Sequence, residues 1–260
     1  MELNLNNRLA LVTGSSRGTG QVIAETLLRE GAAVIFHALE QRDAVDVAKR
    51  AKCYSCWGDI TSEAGRAQLV EQISAIGEID ILVNNYGTGS AGKWASCSEE
   101  DWLTMYQHNV LSAAGLCRAF SPAMRRKGWG RIVQLGTIGS HQPNNIMPHY
   151  YAAKGALATM TVSLTKELSG SGVTVNTVSP GLIHTAELEQ SYRQRAAKLG
   201  WGERWEDIVA GIVSHDFPNP CERIANRQEV ADLVAFLCSD LAGFINGQNI
   251  RIDGGAVRYV

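Results

Sequence analysis

The chain has 260 residues, 45% of them hydrophobic and 19% charged, which is enough for one well-cored domain. Its formal net charge of −2 leaves no basic excess to neutralise phosphates, so nucleic acid is not an expected partner. No apolar run reaches the ~20 residues a membrane span needs. MELNLNNRLALV lacks a basic-then-apolar signal pattern, so a soluble, cytoplasmic protein is expected.

In chain order, LALVT (9–13) reads as a buried strand that runs through the turn TGSSRGTG (13–20) into a helix over 18–30. AAVIFH (32–37) is the next strand, followed by a helix over 41–51. CYSCW (53–57) is a third strand and 62–76 a third helix. DILVN (80–84) precedes one long helix over 99–126 that ends on the basic run Arg125, Arg126 and Lys127, which suits a helix C-terminus. RIVQLG (131–136), a helix over 149–169, VTVNTV (173–178), a helix over 227–239 and NIRID (249–253) complete the series. Continuous apolar strands alternating with helices predict an α/β fold, a doubly wound, Rossmann-like parallel sheet in a single domain.

Cys53 and Cys56 form a CxxC, but in a strand residues three apart point to opposite faces. No second CxxC or nearby histidine completes a zinc set, so no metal site is expected. One stretch, 184–225, belongs to no βα unit. An insertion of that length reads as a helical lid, with Trp201, Trp205, Ile208, Ile212 and Phe217 as its apolar face.

A Gly-rich turn between a first strand and a helix is the setting of a dinucleotide site. Gly14 permits the tight turn, Gly18 lets the backbone approach a pyrophosphate, and Gly20 lets helix and strand pack closely. No GK[ST] follows, which argues against a triphosphate. Strand two ends in FHALEQR, with Ala38 where a ribose-binding carboxylate would stand, and Arg17 lies in the turn. That charge balance favours NADP, while Glu40 leaves NAD possible.

In PHYYAAKGAL (148–157), Pro148 suits a first helical turn. Tyr150 and Tyr151 precede Lys154 by four and three residues, and either spacing places a tyrosine on the lysine's side of a helix. An ammonium beside a phenol lowers its pKa from about 10.

TGSSRGTG, GDIT (58–61), NNYG (84–87), HNV (108–110), YYAAK (150–154), SPGLIHT (179–185) and RIDGG (251–255) occur together in one order and spacing. With them the chain resembles the short-chain dehydrogenase/reductase family along nearly its whole length. The resemblance implies a hydride transfer between a nicotinamide and a carbonyl or secondary alcohol. It implies Tyr150 as proton donor and acceptor, Lys154 as the group that lowers its pKa and holds the nicotinamide ribose, and Asn109 as holder of a relay water. Ser16, Arg17 and Thr19 would line the phosphates with Gly14, Gly18 and Gly20. Asp59 and Ile60 would meet the adenine, Asn85 its ribose, and Ile183 and Thr185 the carboxamide.

The family's substrate-holding serine, thirteen residues before the tyrosine, is here Thr137, with Ser140 as a fallback. Threonine keeps the hydroxyl and adds a methyl. Tyr86 stands where the family has a small residue. His141, His149 and His184 flank the expected site and read as pocket or loop residues. The substrate is expected to be a small to medium hydrophobic ketone or alcohol, met by Trp94, Ile146, Met147 and Trp201. The resemblance implies a homotetramer or homodimer. The competing readings are a silent dinucleotide sensor, which needs only the phosphate cradle, and a methyltransferase, which has no use for a Tyr–Lys pair. An enoyl reductase would space its tyrosine and lysine further apart.

Overall fold

The computed structural model describes residues 2–259. Strands β1 (Leu9–Val12), β2 (Ala33–Ala38), β3 (Tyr54–Trp57), β4 (Ile81–Asn84), β5 (Gly130–Leu135), β6 (Val173–Pro180) and β7 (Asn249–Ile252) fall within a residue or two of the apolar runs. They form one parallel sheet in the order β3-β2-β1-β4-β5-β6-β7. The chain begins mid-sheet, winds outward to β3, and returns so that β4 pairs with the other side of β1. That reversal opens a crevice at the carboxyl ends of β1 and β4, where ligands of such sheets bind.

The strands read as continuous apolar runs because both sheet faces are covered. On one face Ile23 and Leu27 of α1 (Gly18–Arg29), Val47 of α2 (Gln41–Ala51) and Val230 and Val234 of α9 (Arg227–Leu237) pack on Val12, Val34, Phe36 and Val83. On the other, Leu69 and Ile73 of α3 (Glu63–Ser74) and Leu116, Phe120 and Met124 of α5 (Ser112–Lys127) pack on Leu11, Ile35, Leu82 and Ile132. Each such fully buried side chain contributes ~1.5–3 kcal/mol.

Local signals set the helix ends. Ser98 and Asp101 close a capping box on α4 (Glu99–Tyr106), and Asn226 and Glu229 do the same for α9. α5 ends on Arg125, Arg126 and Lys127 with Gly128 at φ +72°, a left-handed cap. Pro148 opens α6 (Pro148–Glu167).

Two expectations change. The helix expected over 99–126 is interrupted by a π-turn, Gln107–Leu111, between α4 and α5. Cys53 falls before β3 and is half-buried, while Cys56 is in the core. No cluster of metal-ligating side chains occurs among the described residues. Nor is any described helix long and apolar enough to cross a membrane.

The 184–225 insertion forms α7 (Ala186–Leu199), α8 (Trp205–Gly211) and a second π-turn, Ile212–Asp216. Ala196, Ile208, Ile212, Phe217 and Ile224 make its own small core, with Trp201 and Trp205 packed around it. It rests on the body through Ile138 and Leu182.

Candidate active site

The Gly-rich turn leaves β1 with Gly14 at φ +61° and Gly18 at φ +63°, a region an L side chain rarely adopts. A Cβ on Gly20 would strike the Asn85 amide and the Gly14 carbonyl. The end of β4 clamps the turn: Asn85 Nδ2 donates to the carbonyls of Thr13 (2.9 Å) and Gly14 (3.1 Å), and Tyr86 N–H donates to Thr13 Oγ1 (2.9 Å). Asn85 therefore holds the turn with its amide nitrogen, and only its Oδ1 is left for a ribose. No side chain caps the start of α1 and no acid lies in its first turn, so its free N–H groups suit a phosphate. Ser16 and Thr19 are partly exposed on this turn.

His37, at the end of β2, links two loops. Gly14 N–H donates to its Nδ1 at 3.0 Å, so its Nε2 carries the proton and donates to Gly58 O at 3.1 Å. Burial lowers its pKa to about 4.

Arg17 is exposed and lies 4.0 Å from Glu187 of α7, a screened contact of little strength that leaves it free to pair elsewhere. Asp59 Oδ1 accepts from Thr61 N–H and hydroxyl, which holds its carboxyl below the usual range. Ile60 is buried in the core, so only its backbone can meet a ligand. Ile183 bridges to Ala225, and Thr185 Oγ1 caps α7 by accepting from Leu188 N–H.

Beside the turn lies the second half of the site. On α6, Lys154 is buried and its Nζ donates to Leu135 O at 2.7 Å. The π-turn widens the helix at Asn109, whose Nδ2 donates to Thr88 O (2.8 Å) and Met105 O (3.0 Å). Its Oδ1 is buried without a partner among the described residues. Both groups converge on Gly87: a Cβ there would sit 2.5 Å from Asn109 Oδ1 and 2.9 Å from Lys154 Nζ. Two residues on, a Cβ on Gly89 would lie 2.9 Å from Met147 Cε and 3.3 Å from the Tyr150 ring. The loop after β4 thus runs along Asn109, Lys154 and Tyr150.

Burial pushes the Tyr150 phenol up to about 12, with Tyr151 adding to the rise. The same burial brings Lys154 down to about 8. The lysine's nearest bond is to a carbonyl, not to the phenol.

Thr137 Oγ1 accepts from Gly139 N–H at 3.2 Å, and its own proton is uncommitted. Ser140 Oγ instead donates to Thr137 O at 2.7 Å. Tyr151 packs on Gly139, where no Cβ would fit. Tyr86 turns to His108, with Oη 3.1 Å from Nδ1 and the rings stacked at 6.1 Å. The three flanking histidines are all engaged: His141 with Asn249 (2.9 Å), His149 with Ser90 (3.1 Å), His184 with Glu189 (2.8 Å). Sequence reasoning missed His37, Gly87 and Gly89, whose roles rest on contacts between distant segments.

The geometry meets the requirements of a dinucleotide. Gly14 and Gly20 form a cradle that side chains would fill, the α1 N–H groups face it, and the orphan Asn109 Oδ1 lies beside Lys154. Comparison with known proteins agrees. A family profile described as enoyl-(acyl carrier protein) reductase matches residues 14–257. The 3-oxoacyl-[acyl-carrier-protein] reductase FabG of Escherichia coli is 35% identical over 256 residues, covering 97% of this chain and 98% of that protein. L-sorbose reductase from Gluconobacter frateurii, solved with NADPH and L-sorbose, superposes with a TM-score of 0.93 at 29% identity over 100% of both chains. A gluconate 5-dehydrogenase from Burkholderia cenocepacia, in complex with NADP and tartrate, gives 0.88 at 26% identity, covering 100% of this chain and 98% of that one. The chain is an oxidoreductase and belongs to the short-chain dehydrogenase/reductase family.

Proposed function

We propose that the protein is an NADPH-dependent carbonyl reductase, able to run in reverse on a secondary alcohol. The observation that carries this reading is the convergence of Lys154 Nζ and the orphan Asn109 Oδ1 on Gly87, along the same loop that meets the Tyr150 ring. A silent dinucleotide sensor would need the cradle but not this cluster. The four-residue step from Tyr150 to Lys154 favours a carbonyl over an enoyl substrate.

When bound, the dinucleotide supplies the hydride that the carbonyl carbon receives. Gly14, Ser16, Gly18, Thr19 and Gly20 hold its phosphates, Asp59, Asn85 and the Ile60 backbone its adenosine, and Ile183 and Thr185 its carboxamide. Tyr150, neutral with its phenol near 12, gives its proton to the carbonyl oxygen. The free Thr137 proton donates to the same oxygen as charge builds there. Lys154 offers its ammonium to the forming phenolate and to ribose hydroxyls, and Asn109 Oδ1 accepts from a water that returns the proton. Met147, whose Cε lies against the same loop as the Tyr150 ring, favours a small to medium, mainly apolar substrate. The 184–225 insertion acts as the lid over it.

NADPH is favoured because Arg17 is exposed and can meet a 2′-phosphate, while β2 ends on buried Ala38 instead of a carboxylate. Fluorescence titration should show NADPH binding tighter than NADH. Arg17→Ser should weaken NADPH by about tenfold and leave NADH nearly unchanged. No binding of either dinucleotide would sink the enzymatic reading. A panel containing apolar ketones, L-sorbose, gluconate and a 3-oxoacyl thioester would then identify the substrate.

Lys154 sets a pH limit. Its pKa falls to about 8, so it is cationic below that pH and neutral above it. kcat/KM for NADPH, which reports the free enzyme, should therefore decline on the alkaline side with a midpoint near pH 8. A profile flat well past that midpoint would remove the ammonium from the mechanism.

Self-association through α4, α5 and α6 suits the exposed Leu103, Tyr106, Leu111 and Val162, as a homotetramer or homodimer. Cys53, Cys56, Cys97, Cys117, Cys221 and Cys238 are free, as suits a reducing cytoplasm.

A further inference from the structure

We propose that His37 is a positioning residue for the coenzyme, a two-ended pin that ties the phosphate turn to the adenine-side loop. The proposal rests on the dinucleotide reading above. His37 is 2% exposed and sits at the carboxyl end of β2, in register with Cys56 of β3. An aliphatic side chain there would bring no polar group of its own into the core. A buried imidazole is tolerated there only because both nitrogens have partners.

Those partners are backbone groups of two different coenzyme loops. Gly14 N–H, near the start of the phosphate turn, points at Nδ1 and not at the crevice. Gly58 O, immediately before Asp59, accepts from Nε2. Two further bonds fix the ring's own backbone: His37 N–H donates to Ser15 Oγ (2.9 Å), and Ser15 N–H donates to His37 O (2.9 Å). Ser15 Oγ in turn donates to Val12 O at 2.7 Å. The turn therefore enters α1 at an angle set from the β2 side by His37 and from the β4 side by Asn85.

Gly14 and Gly18 both have positive φ, so the turn has little intrinsic preference for one conformation. Preorganisation must come from outside it, and the cost of ordering a loose turn would otherwise reduce coenzyme affinity. The ring also fixes the distance between the phosphate end and the adenine end of the site, because one rigid imidazole spans Gly14 and Gly58.

The two ends can be tested separately. Asparagine places an acceptor oxygen near the position of Nδ1, and glutamine places a donor nitrogen near that of Nε2. NADPH dissociation constants would be measured by fluorescence for wild type, His37→Leu, His37→Asn and His37→Gln, with melting temperatures alongside. His37→Leu should weaken NADPH by about tenfold or more. His37→Asn should recover most of that loss, and His37→Gln less. Wild-type affinity in all three variants overturns the pin. So does an affinity loss that follows melting temperature alone, with asparagine no better than leucine. If the leucine variant does not fold, the contrast between asparagine and glutamine carries the same decision. Failure of the wild-type protein to bind NADPH is a different result, and it removes the dinucleotide reading itself.

Discussion

Tyr150→Phe is expected to lower turnover by on the order of 10³-fold. The ring packs against a cluster of Met105, Val110 and Ala153, and phenylalanine keeps all of that surface. Only the oxygen is lost, so the fold and NADPH affinity should hold. The chemistry should not, because the group that gives its proton to the carbonyl oxygen is gone. NADPH oxidation with the substrate found in the panel, together with a fluorescence titration of NADPH, separates the two. Tyr151→Phe is the control. It removes a phenol that bonds to Asn144, in a ring that packs on Gly139, and should leave most activity in place. Retained turnover in Tyr150→Phe would move the proton donor elsewhere on α6.

In the proposed reduction, a tyrosine raised to about 12 is protonated at physiological pH, as a proton donor has to be. Lys154, brought down toward neutrality by the same burial, is the group whose charge state changes within reach of ordinary buffers. Two residues one helical turn apart are thus pushed in opposite directions by one cause, desolvation of their charged forms.

The sheet was legible because its strands are buried on both faces and read as unbroken apolar runs, and the Gly-rich turn because its glycines are contiguous. Tyr150 and Lys154 were visible for the same reason, being four residues apart on one helix. What stayed hidden depends on distant contacts. Asn85 lies 71 and 72 residues from the carbonyls it bonds, so nothing nearby signals that it clamps the turn. His37 read as part of a core strand, which it is, but its two bonds reach 23 residues back and 21 forward. The π-turn at Asn109 leaves the apolar pattern of the surrounding helices intact, so a helix over 99–126 was the natural expectation. Sequence places Lys154 at i+4 from Tyr150 but gives no sign of the Leu135 carbonyl that accepts from the lysine's amine.

Gly87→Ala tests the cluster from the opposite side, without touching a chemical group. Gly87 is not among the glycines with positive φ, so alanine meets no backbone penalty there. Its new methyl would instead lie 2.5 Å from Asn109 Oδ1 and 2.9 Å from Lys154 Nζ, and both contacts are too short to stand. Asn109 is held by two bonds from its amide nitrogen and Lys154 by one to Leu135 O, so neither can yield freely. Displacing groups by about an ångström in such a site is expected to lower turnover by about 10²-fold. The stability loss from overpacking should be ~1–3 kcal/mol. Gly89→Ala makes the comparison sharper, since its methyl would press on the flexible end of Met147 and the edge of the Tyr150 ring. It should therefore lose less. Adding Asn109→Ala to Gly87→Ala should relieve the crowding and recover stability without recovering turnover. That pattern ties the activity to the Asn109 oxygen, whereas wild-type turnover in Gly87→Ala would show that neither Asn109 nor Lys154 has to stand where it does.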